Sequence, residues 1–172
     1  MRLSREFRRQ WTRLSSGSDR PDVNTAVTLA SMVEKETGVA DERALVAGVF
    51  VNRLKKSMRL ECDPTTIYAA LLENRYGGKL HRSDLHSHNP YNTYQNDGLP
   101  PGPIANPGAS ALRAALHPAD TDYLFFVAKP GGGGHVFSAT LAAHQKAVES
   151  YRHGAQTKSA PALPAKPARK AG

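Results

Sequence analysis

The 172-residue sequence lacks several features that assign a chain quickly to a protein class. Cys62 is its single cysteine, which excludes an internal disulfide and leaves the redox compartment undiagnosed. No apolar run approaches the roughly 18 residues that a membrane-spanning helix needs, and no signal-peptide core follows the basic start. The glycine run at 131–134 lacks the trailing Lys-Ser/Thr of a phosphate-binding loop, so it is interpreted as a hairpin turn.

Metal-ligand spacing is also missing. The chain has seven histidines, but no His-x-x-x-His pattern lies on a predicted helix and no acidic residue recurs at ligand spacing. We therefore predict neither a metal site nor a cofactor.

Positive charge is concentrated at the two ends of the chain. Residues 1–20 and 155–172 each carry a net +4, so the formal +8 leaves residues 21–154 neutral. Basic ends on a neutral centre argue against a nucleic-acid-binding face on the fold itself. We predict a basic N-terminal segment at 1–20, one domain at 21–154, and a disordered Ala/Pro/Lys tail at 155–172.

One predicted helix carries an acid where an apolar residue is expected. Leu29, Met32, Val33 and Glu36 fall at i, i+3, i+4 and i+7, so they share one helix face. Burying a charged carboxylate on a core-facing stripe costs free energy. Burial therefore usually raises the pKa of such a group, so that it stays protonated. Gly38 is expected to end the helix in the left-handed conformation. Glu36 is therefore a candidate general acid, although an acid near a helix end can also be a simple surface residue.

Three further helices are predicted from capping signals at Asp41, Asp63 and Asn106. In the helix that starts at Asp63, the apolar pattern indicates that Leu71 and Leu72 face inward. A β-hairpin with strands at 123–128 and 135–137 and a last helix at 140–151 complete a mostly helical α+β fold.

Between the helices, residues 81–108 are rich in Pro, Asn, Gly, His and Tyr, a composition that predicts a long irregular segment. Such segments are uncommon in compact domains unless they form a binding site. Tyr91 and Tyr94, interleaved with asparagines, suit a sugar ligand, but a loop packed on its own tyrosines is the alternative.

Several blocks of this sequence, in order, resemble the catalytic domain of the endolytic murein transglycosylases, the YceG-like family. The blocks are LASMVEKET at 29–37, VFVNRL at 49–54, MRL at 58–60, DPT at 63–65, IY at 67–68, PYNTY at 90–94, GLPPGPI at 98–104, NPG at 106–108, YLFFV at 123–127, GH at 134–135, Phe137 and His144. The resemblance implies a lysozyme-like, mostly helical catalytic domain with a small β-hairpin near its C-terminal end. Its substrate would be the glycan strands of peptidoglycan.

Lytic transglycosylases place their acid in a helix that ends in Glu followed by Ser or Thr, which here selects Glu36-Thr37 over Glu34. The resemblance implies that Glu36 both protonates the glycosidic oxygen and later takes the proton of the muramic C6 hydroxyl. The product would be a 1,6-anhydro end. Asn92 and Tyr94 are the expected sugar contacts, and Asn52 is a weaker candidate.

Alternatives from other classes stay open. A hydrolytic muramidase would need a second acid near Glu36, with Asp63 or Asp97 as candidates, although an N-cap is the favoured role of Asp63. A non-catalytic glycan-binding fragment of a longer membrane-anchored enzyme and a nucleic-acid binder held by the basic ends are the others.

Family members usually carry a transmembrane helix and a small LysM-like domain before the catalytic domain, and neither precedes it here. The resemblance implies an inner-membrane enzyme with its catalytic domain in the periplasm or outside the cell, working beside cell-wall synthases and division proteins. Membrane association would then depend on N-terminal regions that this sequence does not contain.

Overall fold

The computed structural model describes residues 22–159, and the predicted basic N-terminal segment at 1–20 lies outside them. Helix α1 (Val23–Glu36) begins where Asp22 accepts hydrogen bonds from the backbone N–H groups of Asn24 and Thr25, at 2.8 and 3.0 Å. Such a cap pairs N–H groups that have no partner within the helix.

The predicted core stripe of α1 is confirmed. Leu29, Met32 and Val33 are buried, and Glu36 is the last residue of the helix. The predicted left-handed stop at Gly38 is wrong, because the helix is closed by Thr37 in an extended conformation. The Thr37 hydroxyl accepts a hydrogen bond from the N–H of Val39 at 3.0 Å.

Helix α2 (Arg43–Lys55) follows a 3₁₀ turn at Ala40–Glu42. The predicted cap at Asp41 is wrong, because Asp41 lies inside the 3₁₀ turn and makes no capping bond. Val46, Val49 and Phe50 of α2 are buried and pack beside α1. The position of α2 matters for the site because its C-terminal half also carries Arg53.

Helix α3 (Asp63–Leu72) starts one residue earlier than predicted. Cys62 is its N-cap residue, so Asp63 is already helical and its side chain is free to face outward. The inward placement of Leu71 and Leu72 is also wrong, since both are about half exposed. The buried face of α3 consists instead of small and hydroxyl side chains, which the following loop covers: Thr65, Thr66, Ala69 and Ala70.

The predicted irregular segment lies between α3 and helix α4 (Ala109–Leu116) and contains only a 3₁₀ turn at Asp84–His86. Its end is held on α1, where the N–H of Ile104 donates to the Ser31 hydroxyl at 3.0 Å. The predicted cap at Asn106 is wrong, since Gly108 is the N-cap of α4 and no side chain caps it. Helix α4 packs against α1 and α2, which closes the core.

The predicted hairpin is confirmed. Strands β1 (Phe125–Ala128) and β2 (His135–Ser138) are antiparallel, with Phe126 opposite Phe137, and Phe126 meets Phe50 of α2 edge-on. Helix α5 (Leu141–Ser159) packs on the hairpin and continues past the predicted end at Tyr151, into the first residues of the predicted tail. The remaining tail residues lie outside the described part of the chain. Among the described helices, none combines the length and apolar composition needed to cross a bilayer.

Candidate active site

A pocket of about 250 Å³ opens at the C-terminal end of α1. Its other walls come from α2, the loop before α3, the start of α3, the irregular segment after it, the hairpin and α5. The lining residues are Glu36, Arg53, Leu60, Glu61, Asp63, Tyr94, Phe126 and His144. Two of the residues singled out in the sequence, Glu36 and Tyr94, therefore meet in one cavity.

Glu36 is half-buried in this pocket, and burial raises its pKa above the ordinary value of 4.5. A hydrogen bond from the Cys62 thiol acts in the opposite direction, while the negative charge of Asp63 adds to the rise. Its position in the last turn of α1, where the helix dipole is negative, also disfavours a carboxylate. The arrangement keeps a proton on Glu36 at a higher pH than a surface glutamate would hold one.

Cys62 is almost completely inaccessible, with 1% of its surface exposed. Burial, followed by the neighbouring charge of Glu36, raises the pKa of its thiol well above the ordinary value. The thiol therefore remains protonated and can donate to Glu36, which is the opposite of the activated thiolate that a cysteine nucleophile requires.

Asp63 and Tyr94 form a second pair on the pocket wall. The Tyr94 hydroxyl donates to Asp63 Oδ1 at 2.6 Å, and burial together with this bond raises the pKa of the phenol. Asp63 belongs to the first turn of α3, where the helix dipole favours negative charge. The pocket thus holds two carboxyl groups, and Glu36 is the one whose surroundings favour the acid form.

Arg53 joins the wall of the pocket to the hairpin. Its Nε donates to the Leu124 carbonyl at 2.7 Å, and one terminal nitrogen lies 3.1 Å from a carboxylate oxygen of Glu61. The guanidinium also lies over the Phe125 ring, 5.1 Å from its centre. The Arg53 side chain is almost fully buried, so its planar guanidinium holds Leu124 and Glu61 in a fixed relative position.

A pair that the sequence analysis missed lies beside this pocket. Glu42 accepts from the backbone N–H of His135 at 2.8 Å, and its other carboxylate oxygen lies 2.7 Å from His135 Nδ1. Burial alone would raise the pKa of Glu42, but the bonds to His135 and the charges of His135 and Lys129 hold it below its usual range. The pair ties the turn after α1 to the start of β2. The glycine before His135 was the available sequence signal for a close contact at this position. In the structure, a side chain at Gly134 would collide with Glu42.

Asn92, predicted to contact sugar, is fully buried. Its amide nitrogen lies within 3.2 Å of three loop carbonyls, and its Oδ1 accepts from the Thr66 hydroxyl and the Tyr94 N–H at 2.9 and 3.1 Å. This placement leaves no atom of the side chain facing the pocket. It argues against direct sugar contact and makes Asn92 the internal support of the loop that carries Tyr94.

Asn52, the weaker candidate, is also committed to internal contacts. Its amide nitrogen donates to the carbonyl of Thr121 at 2.5 Å and to that of Tyr123 at 3.1 Å. It fixes the chain that leads into β1 and does not line the pocket.

Two other acids considered in the sequence lie away from the pocket. Asp97 is exposed and pairs with Arg59 at 3.1 Å. Glu34 accepts from the N–H of Gly108 at 3.1 Å and lies 3.8 Å from Arg43. Among the described residues, no group of three or more His, Cys, Asp or Glu side chains is arranged to hold a metal ion.

Comparison with known proteins gives consistent matches. The model of the YceG-like family matches residues 1–150. A protein of Bacillus subtilis strain 168 called endolytic murein transglycosylase is 49% identical over 129 residues, which is 75% of this chain and 35% of that protein. A protein of the same name from Streptococcus pneumoniae is 33% identical over 134 residues, covering 24% of its length.

A solved structure agrees with these matches. The crystal structure of a yceG-like protein from Listeria monocytogenes superposes with a TM-score of 0.67 at 40% identity, covering 82% of this chain and 42% of that one. The chain therefore spans between about a quarter and two fifths of the length of these relatives. The matches confirm the family resemblance and the mostly helical α+β fold.

Proposed function

Since this chain belongs to the YceG-like family, we propose that it is the catalytic part of an endolytic lytic transglycosylase. It cleaves the bond between N-acetylmuramic acid and N-acetylglucosamine in peptidoglycan glycan strands and leaves 1,6-anhydro-muramic ends. The observation that carries the proposal is the half-buried Glu36, with a raised pKa, in the pocket at the end of α1. Relatives called endolytic murein transglycosylases support the reaction class.

Glu36 performs both proton transfers in this mechanism. Its acid form donates a proton to the glycosidic oxygen, so the leaving sugar departs as an alcohol. The resulting carboxylate accepts the proton of the muramic C6 hydroxyl as that oxygen bonds to C1. The ring closes without consuming water, and Glu36 ends in its original protonated form. A placed acid of this kind contributes roughly 10²- to 10⁴-fold in rate.

The neighbours of Glu36 have different roles. The negative charge of Asp63, held by Tyr94 at 2.6 Å, helps Glu36 retain its proton and faces the positive charge that develops at C1. Tyr94 lies in the pocket and is the best-placed of the predicted sugar contacts. Asn92 and Asn52 act as positioning residues, because their hydrogen bonds go to the protein itself.

The family resemblance extends the proposal to location and partners. The catalytic part would work outside the inner membrane, beside cell-wall synthases and division proteins, with membrane association supplied by N-terminal regions.

The test is mass spectrometry of purified peptidoglycan glycan strands after incubation with the wild type, Glu36→Gln and Glu34→Gln. Glu34 lies on the same helix but outside the pocket, so Glu34→Gln is the matched control. We expect 1,6-anhydro ends from the wild type and Glu34→Gln and none from Glu36→Gln. Equal cleavage by Glu36→Gln would refute the role of Glu36, and no cleavage by any of the three would favour a binding fragment.

A hydrolytic muramidase is the second candidate, because Asp63 supplies a second carboxylate in the same pocket. A hydrolase would use this group to hold or replace an attacking water. Its products would be reducing ends that are 18 mass units heavier than the anhydro ends, about the mass of one water consumed per bond cleaved. The same mass spectrum therefore separates the two reactions.

A further inference from the structure

His144 lies in the first turn of α5 and lines the pocket on the hairpin side. Its imidazole stacks on the Phe125 ring, with 5.1 Å between the ring centres and 19° between the planes. Glu36 lines the same pocket, so His144 is placed to meet the same ligand. The mechanism above gives His144 no role.

The two ring nitrogens of His144 differ in their surroundings. Nδ1 is inaccessible and, within the described part of the chain, has no hydrogen-bond partner. Any hydrogen bond from this ring to a ligand must therefore come from Nε2. Burying an N–H without an acceptor is less favourable than burying a bare nitrogen, so the proton belongs on Nε2.

The charge state of His144 follows from the same environment. Burial, followed by the positive charge of Arg53, lowers the pKa of His144 below its ordinary value of 6.5. At neutral pH the ring is therefore an uncharged donor, which suits a neutral oxygen of a glycan better than a phosphate or carboxylate.

The rest of this wall combines apolar and acidic groups. Phe126 supplies partly exposed apolar surface, Leu60 lines the pocket with only 2% of its surface exposed, and Glu61 supplies carboxylate oxygens. A 2-acetamido group presents the matching set of a carbonyl that accepts, a methyl that avoids water and an N–H that donates. A simple hydroxyl would leave the apolar surface unused.

We propose that His144 is a specificity-determining residue that recognises the 2-acetamido group of a bound sugar by donating its Nε2–H to the acetamido carbonyl. Phe126 receives the methyl group. This inference rests on the proposed function for its substrate class. It identifies the chemical group of the sugar that the hairpin side of the pocket recognises.

The variants separate the donor from the ring. His144→Phe keeps an aromatic ring against Phe125 but removes Nε2–H, whereas His144→Gln restores an amide N–H donor at a similar reach. Each variant is first checked for wild-type circular dichroism and thermal unfolding. If His144→Phe does not fold, the comparison is made with His144→Gln and His144→Met, which has a similar length but no donor.

The substrates are glycan strands before and after enzymatic de-N-acetylation, with chemically re-acetylated strands as the control for handling damage. We expect the wild type to prefer N-acetylated strands in kcat/KM. His144→Phe should reduce that preference by roughly fivefold, as expected for one neutral hydrogen bond, because kcat/KM falls more on N-acetylated than on de-N-acetylated strands. His144→Gln should restore part of the preference.

A binding measurement keeps the inference independent of turnover. Calorimetric titration of Glu36→Gln and of Glu36→Gln/His144→Phe with N-acetylated and de-N-acetylated chito-oligosaccharides should show the same roughly fivefold loss of preference in Kd. If the wild type cleaves nothing but this binding preference depends on His144, the proposed function fails and the inference stands.

Two results would overturn the inference whether or not cleavage occurs. The first is an equal loss on both substrates in His144→Phe, which would indicate a purely structural ring. The second is a wild type that does not distinguish the two substrates.

Discussion

The stability of the loop that carries Tyr94 should depend on Asn92. The substitution is Asn92→Ala, which removes a fully buried amide whose Oδ1 accepts two hydrogen bonds and whose two N–H groups share three loop carbonyls. If Asn92 contacts sugar, the substitution should weaken substrate binding and leave folding unchanged. If it supports the loop, folding itself should weaken.

The size of the effect follows from the contacts. Each hydrogen bond contributes about 1 kcal/mol net, and a buried group that loses its partner costs about 1–3 kcal/mol. Water entering the space left by the amide can satisfy some of the loop carbonyls, so we expect a loss of about 3–5 kcal/mol in the free energy of unfolding. With a urea m-value of about 2 kcal/mol/M, the midpoint should fall by about 2 M.

The assay is equilibrium urea unfolding followed by circular dichroism, with Asn24→Ala as the control. Asn24 is exposed near the start of α1, and its substitution should change the free energy by less than about 0.5 kcal/mol. A loss below about 1 kcal/mol for Asn92→Ala, combined with a weaker KM, would refute the structural reasoning and restore the sugar contact.

Two further predictions concern Glu36 and the turn before β2. Because the pKa of Glu36 is raised in the folded protein, its protonation stabilises the fold; this contribution is fully present below about pH 4.5 and is lost as the pH rises through the folded-state pKa. Glu36→Gln should therefore gain stability over the wild type between pH 5 and 8 in thermal unfolding scans, and an advantage that is constant down to pH 3 would contradict the raised pKa. Gly134→Ala should lose about 2–5 kcal/mol, because its φ of +129° disfavours a side chain and the new Cβ would collide with a Glu42 carboxylate oxygen that pairs with His135. Gly132→Ala, with φ +88° and open space around it, should lose only about 1–2 kcal/mol in the same unfolding assay, and an equal loss in both variants would argue against the collision with Glu42.

The parts of the fold that were predictable are those in which local pattern and burial agree. The stripe of α1 has helical period and a good cap at Asp22, so the helix and the position of Glu36 could both be inferred before the structure. The hairpin was equally clear, because apolar strands flank a glycine turn. In these segments the neighbouring residues alone determine the local structure.

The parts that failed depend on distant partners. Thr65 and Thr66 can be buried in α3 because each finds a hydrogen-bond partner 26–28 residues later in the chain. The Thr65 hydroxyl shares a hydrogen bond with the Thr93 hydroxyl, and the Thr66 hydroxyl donates to Asn92 Oδ1. Burying a hydroxyl without such a partner costs free energy. The apolar periodicity of the sequence therefore predicted that Leu71 and Leu72, and not the threonines, would be buried. The same cause explains Asn92, since its residue type suits a sugar ligand and only the fold shows that its amide is already occupied.

The distribution of charge in the pocket bears on the choice between the two proposed reactions. Glu36 ends α1, where the helix dipole and burial both favour the neutral acid, and Asp63 lies in the same pocket. One oxygen of Asp63 already accepts from Tyr94, which restricts how that group can turn toward an attacking water. Ring closure by the substrate's own C6 hydroxyl requires no such water, which supports the proposed transglycosylase reaction over the hydrolase.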